Sequence, residues 1–170
     1  MPFTTPWTRL ESPQLEREGM KFYWRCRAEL SPTHWRLPFA IFDDGELVGV
    51  QDVGADGFPV RRWVSTGSWL ALPFQGTGIG KEMRAAVLQL AFDSLGAEAA
   101  ETSAFHDNPK SLGVTRSLGY VENGWYIDDR DGVATRHLRF VMERSAWLER
   151  RRDDITVEGV DDDVRAMLGA

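Results

Sequence analysis

Cysteine is almost missing from this chain. Cys26 is the only one among 170 residues, so no internal disulfide forms and a cysteine-based zinc site is excluded. The three histidines, His34, His106 and His137, stand at no metal-ligating spacing, and no metal is expected. No apolar run approaches the roughly 18 residues of a membrane-spanning helix. The opening, Met1-Pro2-Phe3-Thr4-Thr5-Pro6, has neither the basic region nor the apolar stretch of a signal peptide. Positive charge is short as well: 20 Lys and Arg face 26 Asp and Glu. The net charge of −6 argues against nucleic acid as the main partner, because phosphate neutralisation needs a basic face. The expectation is a cytoplasmic protein with neither membrane nor nucleic acid among its partners.

What is present suits one folded unit, since single cores usually span about 100–200 residues. We expect residues 1–149 to form the domain and residues 150–170 a charged, solvated tail, because Arg150-Arg151-Arg152 and Asp161-Asp162-Asp163 cluster there. Ser12-Pro13 reads as a helix start, cap then first-turn proline. Leu15, Gly19, Phe22, Cys26 and Leu30 follow at steps of three and four, which predicts one apolar stripe. Pro38–Phe42 and Glu46–Val53 read as a hairpin around Asp43-Asp44-Gly45. Val64–Leu72 reads as a strand, followed by a glycine-rich turn and a helix that ends near Leu95-Gly96. Glu98–Phe105 is a further strand, and Asn108-Pro109 opens a short helix closed by Gly119. Tyr120–Asn123 and Ala134–Glu143 complete the pattern, joined by the turn-rich Asp128–Gly132. This order predicts an α/β (α+β) layered sheet.

The chemistry is concentrated where the Trp69–Leu72 strand end runs through Pro73 into Gln75-Gly76-Thr77-Gly78-Ile79-Gly80-Lys81 at a helix start. Glycines let the backbone turn sharply and bring its N–H groups close to a ligand. The unpaired amides and the dipole of the following helix favour an anion, so a phosphate is the expected guest. A P-loop needs four residues between its glycines and Ser or Thr after the lysine. Here three residues separate Gly76 from Gly80, and Glu82 follows Lys81. The dinucleotide fingerprint fails too, because Lys81 stands where it needs a small residue.

Gln75, Gly78 and Gly80 instead match the Gln/Arg-x-x-Gly-x-Gly/Ala signature of the GNAT superfamily, in its strand–turn–helix setting. Asn108, Ser111 and Leu118-Gly119-Tyr120 add to the likeness, and the chain resembles the ribosomal-protein N-terminal acetyltransferase (RimJ/RimL-like) branch from about Phe39 to Trp147. The resemblance implies the acyl-CoA N-acyltransferase fold, a central mixed and largely antiparallel sheet flanked by helices. It implies acetyl-CoA as co-substrate and an amine as acceptor, with direct attack on the thioester in a ternary complex. Amides of Gly76, Thr77, Gly78, Ile79, Gly80 and Lys81 would hold the pyrophosphate. The strand at Trp69, Leu70 and Leu72 would part from its neighbour to admit the pantetheine arm, with the Leu70 amide on the thioester carbonyl. Asn108 and Ser111 would lie beside the arm, and Lys81 and Arg84 would add charge near the phosphates.

The chain also departs from the family. The glutamate that relatives use as base is replaced by Ser65, and the tyrosine acid of other branches falls at Thr115. Ser111 is then the candidate acid, and Asp52 and Glu101 are candidate bases, being acidic residues in central strands. Relatives open with a strand and a helix that residues 1–11 cannot supply, which implies a longer gene or a reduced sheet whose bare edge is covered by a symmetric dimer or, as the competing account, by residues 1–11 folding back within one chain. The acceptor is expected to be a protein N-terminus or a small-molecule amine. The competing function is a CoA-binding module without catalysis, which gains weight if neither Asp52 nor Glu101 faces the thioester.

Overall fold

The structure is a computed structural model and describes residues 7–170. Of the aromatic Pro2–Trp7 segment, which is available to pack near the first hairpin, only Trp7 lies within the described residues. Two hairpins bound the sheet, and each is turned by an Asp-Gly pair. β1 (His34–Asp43) and β2 (Glu46–Asp56) are joined at Asp44 and Gly45, with φ of 47° and 83°. β5 (Val121–Arg130) and β6 (Val133–Glu143) are joined at Asp131 and Gly132, with φ of 58° and 78°. Two consecutive residues of positive φ make the turn whose twist matches that of paired strands, and Asp-Gly tolerates it. β3 (Trp63–Leu70) and β4 (Ala99–Phe105) complete six strands in the order β1-β2-β3-β4-β6-β5. Every neighbouring pair is antiparallel except β3–β4, so the sheet is mixed and largely antiparallel, as expected.

α1 (Gln14–Ala28) leans on β1, and a single turn, α2 (Phe58–Arg61), links β2 to β3. α3 (Ile79–Gln89) follows the glycine turn and ends in a wide π-turn, where Leu95 N–H donates to the Leu90 carbonyl. α4 (Pro109–Ser117), α5 (Arg144–Leu148) and α6 (Asp162–Leu168) follow. The core lies between one sheet face and α3, where Val87, Leu88, Ala91 and Phe92 meet Val53, Ala100, Phe140 and Met142. Each large apolar side chain buried there contributes about 1.5–3 kcal/mol.

Four sequence expectations are corrected. β3 stops at Leu70, because Pro73 has no amide for a ladder and a 3₁₀ turn spans Leu72–Phe74. β5 runs to Arg130, since the turn needs only Asp131 and Gly132. α1 starts at Gln14 without a side-chain cap, and Cys26 is its only buried residue: Phe22 and Trp24 stay exposed because the helix touches little beyond β1. Residues 150–170 are not a free tail. Leu168 is buried, its carbonyl accepts the Trp35 indole N–H at 2.9 Å, and Val157, Val160 and Val164 pack on the same core.

Candidate functional site

β3 and β4 run side by side for only three residue pairs, Trp63 with Ala99 to Ser65 with Glu101. Thr66–Leu70 and Thr102–Phe105 continue without a ladder, so the two strands part in the middle of the sheet. Side-chain hydroxyls take over where the backbone bonds stop. Thr66 Oγ1 donates to the Glu101 carbonyl at 3.3 Å, and Thr102 Oγ1 donates to the Thr66 carbonyl at 3.1 Å. Next along the gap, Arg84 of α3 reaches inward. It donates from Nε to Gln51 Oε1 (3.2 Å), from Nη1 to Thr102 Oγ1 (3.2 Å) and from Nη2 to Ser68 Oγ (3.1 Å). Arg84 is 4 % exposed, so it is not the phosphate-side charge expected from the sequence. The Tyr120 hydroxyl is buried beside Arg84 and Thr66 and makes no hydrogen bond among the described residues.

At the open end of the gap lies the glycine turn. Gly76 and Gly78 have φ of +87° and +104°, and a Cβ on either meets nothing within 4 Å. The amides of residues 76–80 take no protein acceptor among the described residues, whereas Lys81 N–H is engaged by the Gly78 carbonyl at 2.9 Å. Consecutive unpaired amides at the start of an eleven-residue helix are a cradle for an anion. Gln75 fixes the turn from both sides: Nε2 donates to the Leu70 carbonyl and Oε1 accepts from Lys110 Nζ, each at 2.8 Å. Thr77 Oγ1 donates to the Phe74 carbonyl at 2.7 Å. Val114 stands 3.6 Å from where a Gly80 Cβ would be, so α3 and α4 approach closely there. Leu72 is exposed at the turn, Ile79 is half-buried and Lys81 points to solvent.

Asn108 caps α4, its Oδ1 accepting from the Ser111 amide at 3.1 Å. Ser111 is half-buried, with no side-chain bond among the described residues. Cradle, gap and the unpaired Tyr120 hydroxyl together fit an extended ligand with a phosphate at one end. Acetyl-CoA has that form.

Gln51, Ser68 and Thr102 point towards α3, so strand alternation turns Asp52, Gly67, Trp69, Glu101 and Ser103 to the opposite face. Both candidate carboxylates therefore lie on one side of the gap. Asp52 accepts from Arg36 Nη1, and a Cβ at position 67 would stand 3.0 Å from its Oδ2, so a residue with a side chain there crowds the carboxylate. Burial pushes the Asp52 carboxyl above the usual carboxylate range, while Arg36 and Arg84 pull it back down. Tyr23 of α1 covers this face, its phenol pushed up by burial and by the charges of Cys26 and Asp52. Glu101 accepts from Arg139 at 3.4 Å and is one-third exposed. Trp69 packs on Trp7, ring centroids 5.8 Å apart. Ser65 is half-buried in β3, and Thr115 is buried in α4.

Arg36 enters the site with no sign of it in the sequence reading, while Tyr120 and Arg84, named there for other reasons, enter it from the buried side. Helical spacing held a signal for the last, because Arg84 precedes the buried Val87 and Ala91 by three and seven positions.

Residues 1–121 match the model of the acetyltransferase (GNAT) domain family. Among solved structures, the chain is similar to Mycobacterium smegmatis RimJ in complex with CoA-disulfide. The TM-score is 0.65 and the identity 25%, over 75% of this chain and 60% of that one. It also shares its fold with the spermidine N-acetyltransferase of Vibrio cholerae in complex with CoA and spermine. There the TM-score is 0.67 and the identity 18%, over 82% of this chain and 79% of that one.

Proposed function

The chain belongs to the GNAT acetyltransferase family and is an acetyl-CoA-dependent N-acetyltransferase; from that premise we propose that its acceptor is a protein N-terminal α-amine or a small-molecule amine, attacked directly in a ternary complex. The observation that carries the reading is the pairing of the unpaired-amide turn at residues 76–80 with the parted strands β3 and β4. The amides of residues 76–80 bind the pyrophosphate. The arm lies in the gap, with Asn108 and Ser111 at its α4 side and the Leu70 amide directed at the thioester carbonyl. The acceptor enters on the Asp52 face. There Asp52 or Glu101 takes the proton released as the amine adds, and Ser111 donates towards the departing sulfur.

The resemblance of the Gln75–Gly80, Asn108, Ser111 and Leu118–Tyr120 motifs to the ribosomal-protein N-terminal acetyltransferase branch favours an α-amine over other acceptors. That both carboxylates lie on one face of the gap favours an enzyme over a passive CoA-binding module. We propose further that it works as a symmetric homodimer in the cytoplasm, with the β1 edge, which has no neighbouring strand among the described residues, in the interface. A panel of peptide α-amines, amino-acid amides and alkyl diamines with acetyl-CoA, read by thiol release, tests the acceptor. Thiol release faster with α-amines than with diamines is expected, and the reverse order would overturn the acceptor assignment.

A further inference from the structure

Arg84 is a buried cation without a bonded anion. Its three acceptors are the neutral side chains of Gln51, Ser68 and Thr102, and no carboxylate stands within ion-pair distance of it among the described residues. The carboxylate it does influence, Asp52, lies on the other face of the sheet and is bonded to Arg36. A fully buried arginine is rarely left so, because desolvation of its charge is recovered only by a counter-charge. Structural need alone explains the fork poorly. A neutral side chain of similar length fills the same space without the desolvation cost.

The position of the charge suggests what it answers to. Ser68 is on β3 and Thr102 on β4, both beyond the point where the ladder ends. Any group inserted between those strands therefore has the guanidinium along its α3 side. In the proposed reaction the amine nitrogen bonds to the acetyl carbon and the C–S bond breaks. Its electron pair leaves on sulfur, and the amine proton goes to a base or to water. The sulfur carries a full negative charge until a proton reaches it. The position of the tyrosine acid in other branches holds Thr115, which is buried.

We propose that Arg84 is the positioning residue for this leaving group: its unpaired positive charge, held by the Gln51–Ser68–Thr102 fork, stabilises the coenzyme thiolate in the β3–β4 gap. The proposal rests on the assignment of that gap to acetyl-CoA. It accounts for an arginine that is both buried and uncompensated, because the missing anion arrives with the reaction. A lysine would keep the charge but lose the planar fork that binds three acceptors.

The test titrates the bound thiol. Calorimetry gives the affinities of CoA and of desulfo-CoA, which carries hydrogen in place of the thiol, between pH 6 and 9.5. In the wild-type protein the ratio of the two affinities should rise with pH from at least about one unit below the ordinary thiol value of ~8.5. In Arg84→Met that early rise should vanish, a loss of about fivefold in the ratio at the ordinary thiol pKa that approaches about tenfold above it. Arg84→Lys should keep most of the rise while weakening both ligands alike. A wild-type ratio that stays flat across this range, or falls as the free thiol ionises, overturns the proposal without any variant, so it stays refutable if Arg84→Met fails to fold. An unchanged profile in Arg84→Met, or a lysine variant that behaves as methionine does, also overturns it. A wild-type protein that binds neither ligand would instead remove the gap assignment beneath it.

Discussion

Gly78→Asp puts the phosphate cradle to a quantitative test. The free protein offers the new side chain room, since a Cβ at this position meets no atom within 4 Å. Its cost to the fold is then the φ of +104°, a conformation worth about 1–2 kcal/mol against an L side chain. The cost to binding comes from charge. A carboxylate about 5 Å from one phosphate charge is repelled by roughly 0.8 kcal/mol at the dielectric of water and about 3 kcal/mol at an effective value near 20. That corresponds to a loss between about fourfold and a hundredfold or more for each phosphate charge, so well over tenfold for a pyrophosphate. Gly78→Ala carries the strain without the charge and should lose only a few-fold. The assay is calorimetric titration with acetyl-CoA, alongside thermal melts. Raising the salt towards 1 M should recover part of the aspartate deficit, because screening shortens to ~3 Å. Equal affinities for the alanine and aspartate variants, with both folded, would refute the assignment of the turn.

The other predictions divide the remaining roles. Asp52→Asn should lower kcat more than tenfold near pH 7.5 and leave acetyl-CoA affinity within about twofold, since the carboxylate sits across the sheet from the cradle. Burial raises the Asp52 pKa, so the wild-type rate should fall on acidification at a pH above the ordinary carboxylate value, and that acid limb should disappear in the asparagine variant; a limb that persists excludes Asp52 as base. Ser111→Ala should reduce turnover more than acetyl-CoA affinity, because its contact strengthens as charge develops on sulfur; equal turnover removes Ser111 from the mechanism. Light scattering at micromolar concentration should give twice the 19.2 kDa chain mass, and a monomer mass would refute the dimer.

The parts of the fold written in local sequence were legible. Asp43-Asp44-Gly45 marked the first hairpin and Gln75–Gly80 the start of α3, while the second turn was legible only as the broader Asp128–Gly132, because turn geometry is set by the few residues that tolerate positive φ. What depended on register was not legible. That Asp52 and Glu101 share a face follows from the β2–β3 and β3–β4 pairings, which no single strand encodes. Next to the glycine turn Arg84 reads as charge for the phosphates, although its spacing to Val87 and Ala91 puts it on the buried side of α3. In the last segment the conspicuous charges hide an apolar pattern. The charge runs are exposed apart from the half-buried Arg152, but Val157, Val160, Val164 and Leu168 recur between and after them on one packed side. The stripe of α1 shows the converse error: Phe22 follows a helical period yet stays exposed, since period alone does not say whether a neighbour is there to cover it.

The electrostatics of the acceptor face bear on which amines can react. Each candidate carboxylate is matched by an arginine, Asp52 by Arg36 and Glu101 by Arg139, so the face is not an anionic trough built to hold a polycation. Nor is Asp52 a strong base. Even with its pKa raised by burial, Asp52 accepts a proton readily only once attack has made the nitrogen acidic, and it cannot neutralise a waiting alkylammonium near ~10.4. The acceptor must therefore arrive neutral. An α-amine with pKa ~7.8 is roughly a tenth neutral at pH 7, whereas an alkylamine is under about 0.1% neutral, a difference of two orders of magnitude in reactive form before any contact is made. Placing the stabilising charge on the leaving sulfur is of most use to such a weakly basic nucleophile, because a poorer attacking amine leaves more of the barrier in the breaking of the C–S bond. The inward Arg84 and the arginine-matched carboxylates thus favour the same kind of acceptor, one from opposite sides of the sheet to the other.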